Sequence, residues 1–153
     1  MPIHLPAQNR RQFLFTAGAG LVACSTDAFG GEVDGDLVYL LNDTHIGEKH
    51  PPNSAVPSHL RLAVDELVGL KRKPACVLIN GDLALKDGQP GDYRHFAKLI
   101  APMRKAKLDV HLTLGNHDNR RVFYDVMKEE RPKAPPVESR HISVIKTRFA
   151  NFF

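Results

Sequence analysis

The sequence predicts an α/β fold, a largely parallel sheet with flanking helices. Two patterns predict it. From residue 36 onward, short apolar runs alternate with stripes of helical period, the signature of successive β-α-β units. The first three apolar runs each end in a polar cluster rich in Asp, Asn, Gly and His. In open α/β sheets, ligands bind beyond the carboxyl ends of the strands.

The elements follow in order. Asp36 to Leu41 (Asp-Leu-Val-Tyr-Leu-Leu) reads as a buried strand. Asn42 to Pro57, dense in Pro, Asn, Gly and His, reads as a loop. A helix opens at Pro57-Ser58 and carries the stripe Leu60, Ala63, Val64, Leu67, Val68 and Leu70. Lys71-Arg72-Lys73 then stands where cations complement a helix dipole. Ala75 to Asn80 is a second strand and Gly81 to Gly91 a loop. Tyr93, Phe96, Ala97, Ile100 and Met103 form the next helical stripe. Asp109 to Leu114 is a third strand, and Arg120 to Glu129 a short helix broken by Pro132 to Pro136. Arg140 to Lys146 alternates as a fourth strand, and residues 151–153 start a fifth. Parallel neighbours require right-handed crossovers.

Composition sets the outer bounds. The 153 residues fit one domain or a piece of one. Hydrophobic residues at 42% and charged residues at 25% are an ordinary globular balance. No run is long and apolar enough to be a transmembrane segment. The net charge of +4 is scattered over groups such as Lys71-Arg72-Lys73, Arg104-Lys105 and Arg120-Arg121. No basic run is interleaved with aromatics, which disfavours nucleic acid as a partner and leaves anionic, phosphate-bearing substrates. The two cysteines, Cys24 and Cys76, imply no disulfide framework, and Cys76 sits in an apolar run as a small hydrophobe.

Residues 1–30 read as an address rather than a domain. Asn9-Arg10-Arg11-Gln12-Phe13-Leu14 resembles a twin-arginine export signal, and the short apolar run to Ala23 suits one. Leu21-Val22-Ala23-Cys24 resembles a lipobox, which would make Cys24 a lipid-anchored N-terminus. Ala28-Phe29-Gly30 offers a competing ordinary cleavage site. The expectation is a signal peptide over 1–30, a domain over 31–153, and a periplasmic or cell-envelope location.

The chemistry lies at the strand ends. Strand one ends in Asn42-Asp43-Thr44-His45, strand two in Asn80-Gly81-Asp82, and strand three in Gly115-Asn116-His117-Asp118. Parallel neighbouring strands set these ends side by side. Carboxylate, imidazole and amide oxygen suit hard or borderline divalent metals. Asp43 and His45 are close enough for one tight turn to aim both at one ion, and Asp82 has two oxygens with which to bridge two. Gly81 and Gly115 let the backbone bend where a β-carbon would obstruct. Two metals about 3.5–4 Å apart can clamp the attacking and leaving oxygens of a phosphoryl transfer.

In this order, Asp43-x-His45, Gly81-Asp82 and Gly115-Asn116-His117-Asp118 resemble the first three motifs of the calcineurin-like metallophosphoesterase superfamily. The resemblance covers residues 36–153 and lies nearest the class III cyclic-nucleotide phosphodiesterase and purple-acid-phosphatase-like branch. It implies the first half of a four-layer αββα sandwich. It implies a metal-dependent phosphomonoesterase or phosphodiesterase with two divalent ions drawn from Mn, Fe, Zn or Mg. By the same resemblance, Asp43 and His45 bind the first metal, Asp82 bridges both and Asn116 binds the second. His117 contacts the phosphoryl oxygens and acts as general acid, and Asp118 orients His117 through its other ring nitrogen. The superfamily carries further histidines downstream, including Gly-His-x-His, and nothing after His117 matches. His141 is the only later histidine and reads as a strand residue. The chain is therefore expected to be a truncated N-terminal portion with an incomplete dinuclear centre. The alternatives are a noncatalytic metal- or phosphate-binding fragment of that fold, or a nuclease of the same superfamily. A dinucleotide- or P-loop-type domain is disfavoured, because residues 31–153 hold no Gly-rich phosphate loop. Of the other histidines, His50 is a candidate substrate contact, while His59, His95 and His111 read as surface or core.

Overall fold

The computed structural model describes residues 32–133, 137 and 140–152. The twin-arginine-like leader, with Arg10, Arg11, Cys24 and Gly30, lies outside the described residues.

Three strands form a parallel sheet in the order β1-β2-β3: β1 is Val33–Asn42, β2 Lys73–Asn80 and β3 Val110–Leu112. β1 carries a register shift between Asp34 and Val38, and from there Val38↔Cys76 runs evenly to Asn42↔Asn80. Val77↔Val110 to Ile79↔Leu112 adds the third strand. This register brings Asn42 and Asn80 level at the carboxyl ends, so the loops that follow start side by side.

Strand alternation explains the core. Val77 and Ile79 of β2, with Val110 and Leu112 of β3, are buried on one face, and Tyr39 and Leu41 of β1 pack against them. Helices α1 (Val56–Gly69) and α2 (Pro90–Lys105) cover that face. α1 buries Leu60, Val64 and Leu67, and α2 buries Tyr93, Phe96, Ile100 and Met103, the stripes that helical spacing predicts. The short helix α3 (Arg120–Val126) inserts Phe123, fully buried, with its ring edge-on to Tyr93 at 5.5 Å. Residues of opposite parity in the strands, Leu40, Leu78 and His111, line a cavity of about 360 Å³ with Ile142, Ile145 and Phe152. Cys76, expected inside, is 1% exposed.

Three expectations are corrected. Lys71-Arg72-Lys73 does not complement a helix dipole, because α1 ends at Gly69 and its last turn has no basic residue. The next strand begins at once, so Arg72 reaches Glu32 at 3.6 Å and Asp34 at 3.5 Å, and Lys73 Nζ donates to the Ala106 carbonyl at 2.7 Å. The helix expected to Glu129 stops at Val126 and a single 3-10 turn, Lys128–Glu130, follows. The expected fourth strand shrinks to β4, Ile145–Lys146, which pairs antiparallel with β5, Asn151–Phe152, in a separate two-stranded sheet. His141 is not in a strand. Its Nε2 donates to the Leu112 carbonyl at 2.8 Å and its Nδ1 accepts from the Tyr124 hydroxyl at 2.6 Å. Those two bonds tie residue 141 to the end of β3 and to α3 in place of a ladder.

Candidate metal centre

The first two loops are zipped together beyond the sheet. His45 N donates to the Asp82 carbonyl and Ile46 N to the Leu83 carbonyl, each at 2.9 Å, and Ile46 and Ala84 form a further parallel bridge. The buried Thr44 hydroxyl adds a bond to the Leu83 carbonyl at 3.4 Å. To run in step, these turns adopt left-handed backbone at residues that are not glycine: φ is 50° at Asp43, 44° at His45 and 39° at Asp82. Such a conformation costs roughly 1–2 kcal/mol for a residue with a β-carbon, and strain of this kind gathers at functional sites. Only Lys107 shares it among the described non-glycine residues.

The third loop is drawn in by two carboxylates. Asp82 Oδ1 accepts from His117 N at 2.8 Å. Asp118 accepts four bonds. Its Oδ2 takes Gly115 N at 2.9 Å and Leu83 N at 3.0 Å, and its Oδ1 takes Ala84 N at 3.0 Å and the Tyr93 hydroxyl at 3.1 Å. Burial, followed by the negative charge of Asp118, pushes the Tyr93 phenol well above its ordinary range. It therefore stays a donor at any physiological pH. The packing tolerates no side chain at Gly115, where a β-carbon would stand 2.2 Å from Asp82 Oδ1 and 2.5 Å from Asp82 N.

These bonds gather a donor set. One ligand atom from each of His45, Asp82 and His117 lies within 4.8 Å of the others. His45 Nε2 is 3.9 Å from Asp82 Oδ2, and the two imidazoles meet edge to face at 5.0 Å. A family model for calcineurin-like phosphoesterases matches residues 37–151. The chain belongs to the calcineurin-like phosphoesterase family. No curated protein matches it at a significant level. Members of this family are generally hydrolytic and generally use divalent metals, and the residues here fit such an ion. His117 Nδ1 is buried without a hydrogen-bond partner among the described residues, which leaves a lone pair or a proton for a ligand. Asp82 Oδ2 faces His45 while Oδ1 is occupied by backbone.

The structure brings some of the motif residues together and not others. His45 and Asp82 converge, and so does His117, which the resemblance cast as a non-ligand. Asp43 and Asn116 lie at the exposed rim, and Asp43 does not join the donor cluster. Asp118 does not hydrogen-bond the His117 ring. Its lone pairs are taken by three amides and a phenol, so its place is structural support of the loops. His50, a candidate substrate contact, is instead tied within its own loop. Its Nε2 accepts from Gly47 N at 2.8 Å, and its Nδ1 lies 3.4 Å from Ser54 Oγ. Burial, and then the neighbouring His95, hold the His50 imidazole below its ordinary range, as an acceptor requires.

Sequence reasoning missed several supports. His95 Nδ1 donates to the Gly47 carbonyl at 2.7 Å, and the buried Asp92 accepts from Glu48 N at 2.7 Å, pinning the first loop to α2. Thr113 Oγ1 accepts from Gly81 N at 2.9 Å and donates to Asn80 Oδ1 at 2.8 Å. A buried acidic residue in the first turn of a helix was the one available signal, for Asp92.

Two outcomes are expected. Asp118→Asn places an amide NH₂ against backbone donors and lowers stability by about 2–3 kcal/mol, read by urea unfolding. Gly115→Ala displaces Asp82, so bound divalent metal measured by elemental analysis falls while the far-ultraviolet circular dichroism is kept. Full metal retention in that variant would show that Asp82 is not a ligand.

Proposed function

We propose that this chain hydrolyses phosphoesters with a dinuclear divalent metal centre at the carboxyl ends of β1, β2 and β3. The observation that carries the reading is the approach of His45, Asp82 and His117 ligand atoms to within 4.8 Å of one another, on strained loops that hydrogen-bond across to each other. Asp43 and His45 would hold one ion, Asp82 both, and Asn116 the other. Divalent ions held by these residues would supply Lewis-acid polarisation of the phosphoryl oxygens and a nucleophile at neutral pH. His117 protonates the leaving oxygen, since its Nδ1 has no protein partner among the described residues and its backbone is fixed by Asp82. Asp118 acts through position alone, keeping the His117 loop against the Asp82 loop.

A second reading has one observation in its favour: His117 stands within the donor cluster and would be a direct metal ligand. The two differ in measurable ways. For the general acid, His117→Ala lowers kcat by about 100- to 10,000-fold on an alkyl phosphate and far less on 4-nitrophenyl phosphate, whose leaving group needs no proton. For the ligand, the same variant loses bound metal and both substrates suffer alike. Asp82→Asn separates the whole proposal from its absence: Mn-dependent phosphate release falls on the order of 100-fold or more. Turnover equal to wild type in Asp82→Asn would end the assignment.

The reading includes the cell envelope as the place of work, on the strength of Asn9 to Leu14. Replacing both Arg10 and Arg11 with Lys is expected to leave the chain in the cytoplasm when fractions are immunoblotted. Undiminished export of that variant would remove the twin-arginine route.

A further inference from the structure

Adjoining the donor cluster, and sharing His117 with it, lies an open cleft of about 750 Å³ that Asn116 and Asp118 also line. Lys86, Arg120, Arg121 and Arg131 line the rest, and Asp87 is the only other carboxylate there. Among the described residues, none of these four cations is ion-paired. Of the six other described arginines, four have an acidic partner: Arg72, Arg94, Arg104 and Arg148. Asp87 accepts from the Gln89 amide at 2.9 Å and Asp118 from the loops, and both keep their charge, so the four cations outnumber the two carboxylates of the lining by two. One part of the lining is held in place. The Arg131 guanidinium lies 5.1 Å from the centre of the Tyr124 ring, and the Tyr124 hydroxyl is bonded to His141. Unpaired guanidinium groups in a concave wall are suited to bidentate phosphate recognition.

We infer that this cavity is a second anion subsite, which selects phosphoesters whose leaving group carries an additional phosphate. The inference rests on the phosphoesterase reading for which group is scissile, but its binding test does not. The scissile phosphate sits at His45, Asp82 and His117, and the second phosphate reaches the arginines of the adjoining wall. Lys86 approaches from the β2 loop, whereas Arg120, Arg121 and Arg131 approach from α3 and the turn after it, so the subsite spans two separate segments.

The test uses the full chain freed of metal by dialysis against EDTA, with hexane-1,6-diyl bisphosphate and hexyl phosphate titrated calorimetrically. The bisphosphate is expected to bind at least about tenfold more tightly, as charge-assisted bonds to a second phosphate allow. Arg120→Gln with Arg121→Gln abolishes that preference. Lys71→Gln with Arg72→Gln, an equal charge loss at the opposite end of β2, keeps it. Equal affinity for the two ligands in the wild type overturns the inference, as does equal loss in both double variants. Should the arginine double variant fail to fold, Lys86→Gln on the other segment replaces it and must lower the bisphosphate preference by about threefold or more. Hydrolysis of hexyl phosphate with Mn²⁺ is scored separately: its absence, with the binding preference intact, removes the catalytic reading and leaves the subsite.

Discussion

The site depends on one side chain that touches no reacting atom. Asp118 gathers amides from Leu83, Ala84 and Gly115 and the Tyr93 phenol on two oxygens. A carboxylate accepting several backbone N–H groups is among the stronger neutral-to-charged arrangements available to a protein. Its four donors come from the loop after β2, the loop after β3 and helix α2, so a single group fixes three segments. Phe123 completes the arrangement from below, fully buried against Tyr93, so the core and the site share a wall.

Around that anchor, the backbone is bent where side chains make bending unfavourable. Asp43, His45 and Asp82 are left-handed although none is glycine, while Gly81 relieves the same turn at φ 64°. The compensation is visible in the cross-loop ladder from His45 to Asp82 and Ile46 to Leu83. Further along, Asp92 and His95 hold the first loop to α2. Side chains that carry chemistry are thereby set on backbone that has few alternatives.

Much of this was legible in the sequence. The apolar runs gave three parallel strands, because a short continuous run such as Ala75 to Ile79, bounded by polar residues and followed by a helical stripe, reads as a buried strand of a β-α-β unit. The helical stripes gave α1 and α2 for the same reason. Strand direction put the three motifs at neighbouring strand ends, and His45, Asp82 and His117 do come together there. What was not legible depends on distant partners. Nothing local says that Asp118 turns toward Leu83 and Tyr93 rather than toward its neighbour His117. His141 looked like a strand residue because alternation is a local signal, whereas its bonds to Leu112 and Tyr124 are set by tertiary packing. His50 looked available because its loop is rich in turn residues, and only the fold reveals that Gly47 occupies its ring.

The absence of room at Gly115 carries a consequence for ligand affinity. Asp82 cannot swing toward that loop, because there is no slack in which to do so. An ion captured at the cluster would meet donors that the packing already holds in place, so little ordering entropy would oppose it. Conversely, occupancy raises the resistance of the whole fold to unfolding by mass action. Were a divalent ion to bind there, the protein's heat tolerance would in effect gauge the free metal concentration around it.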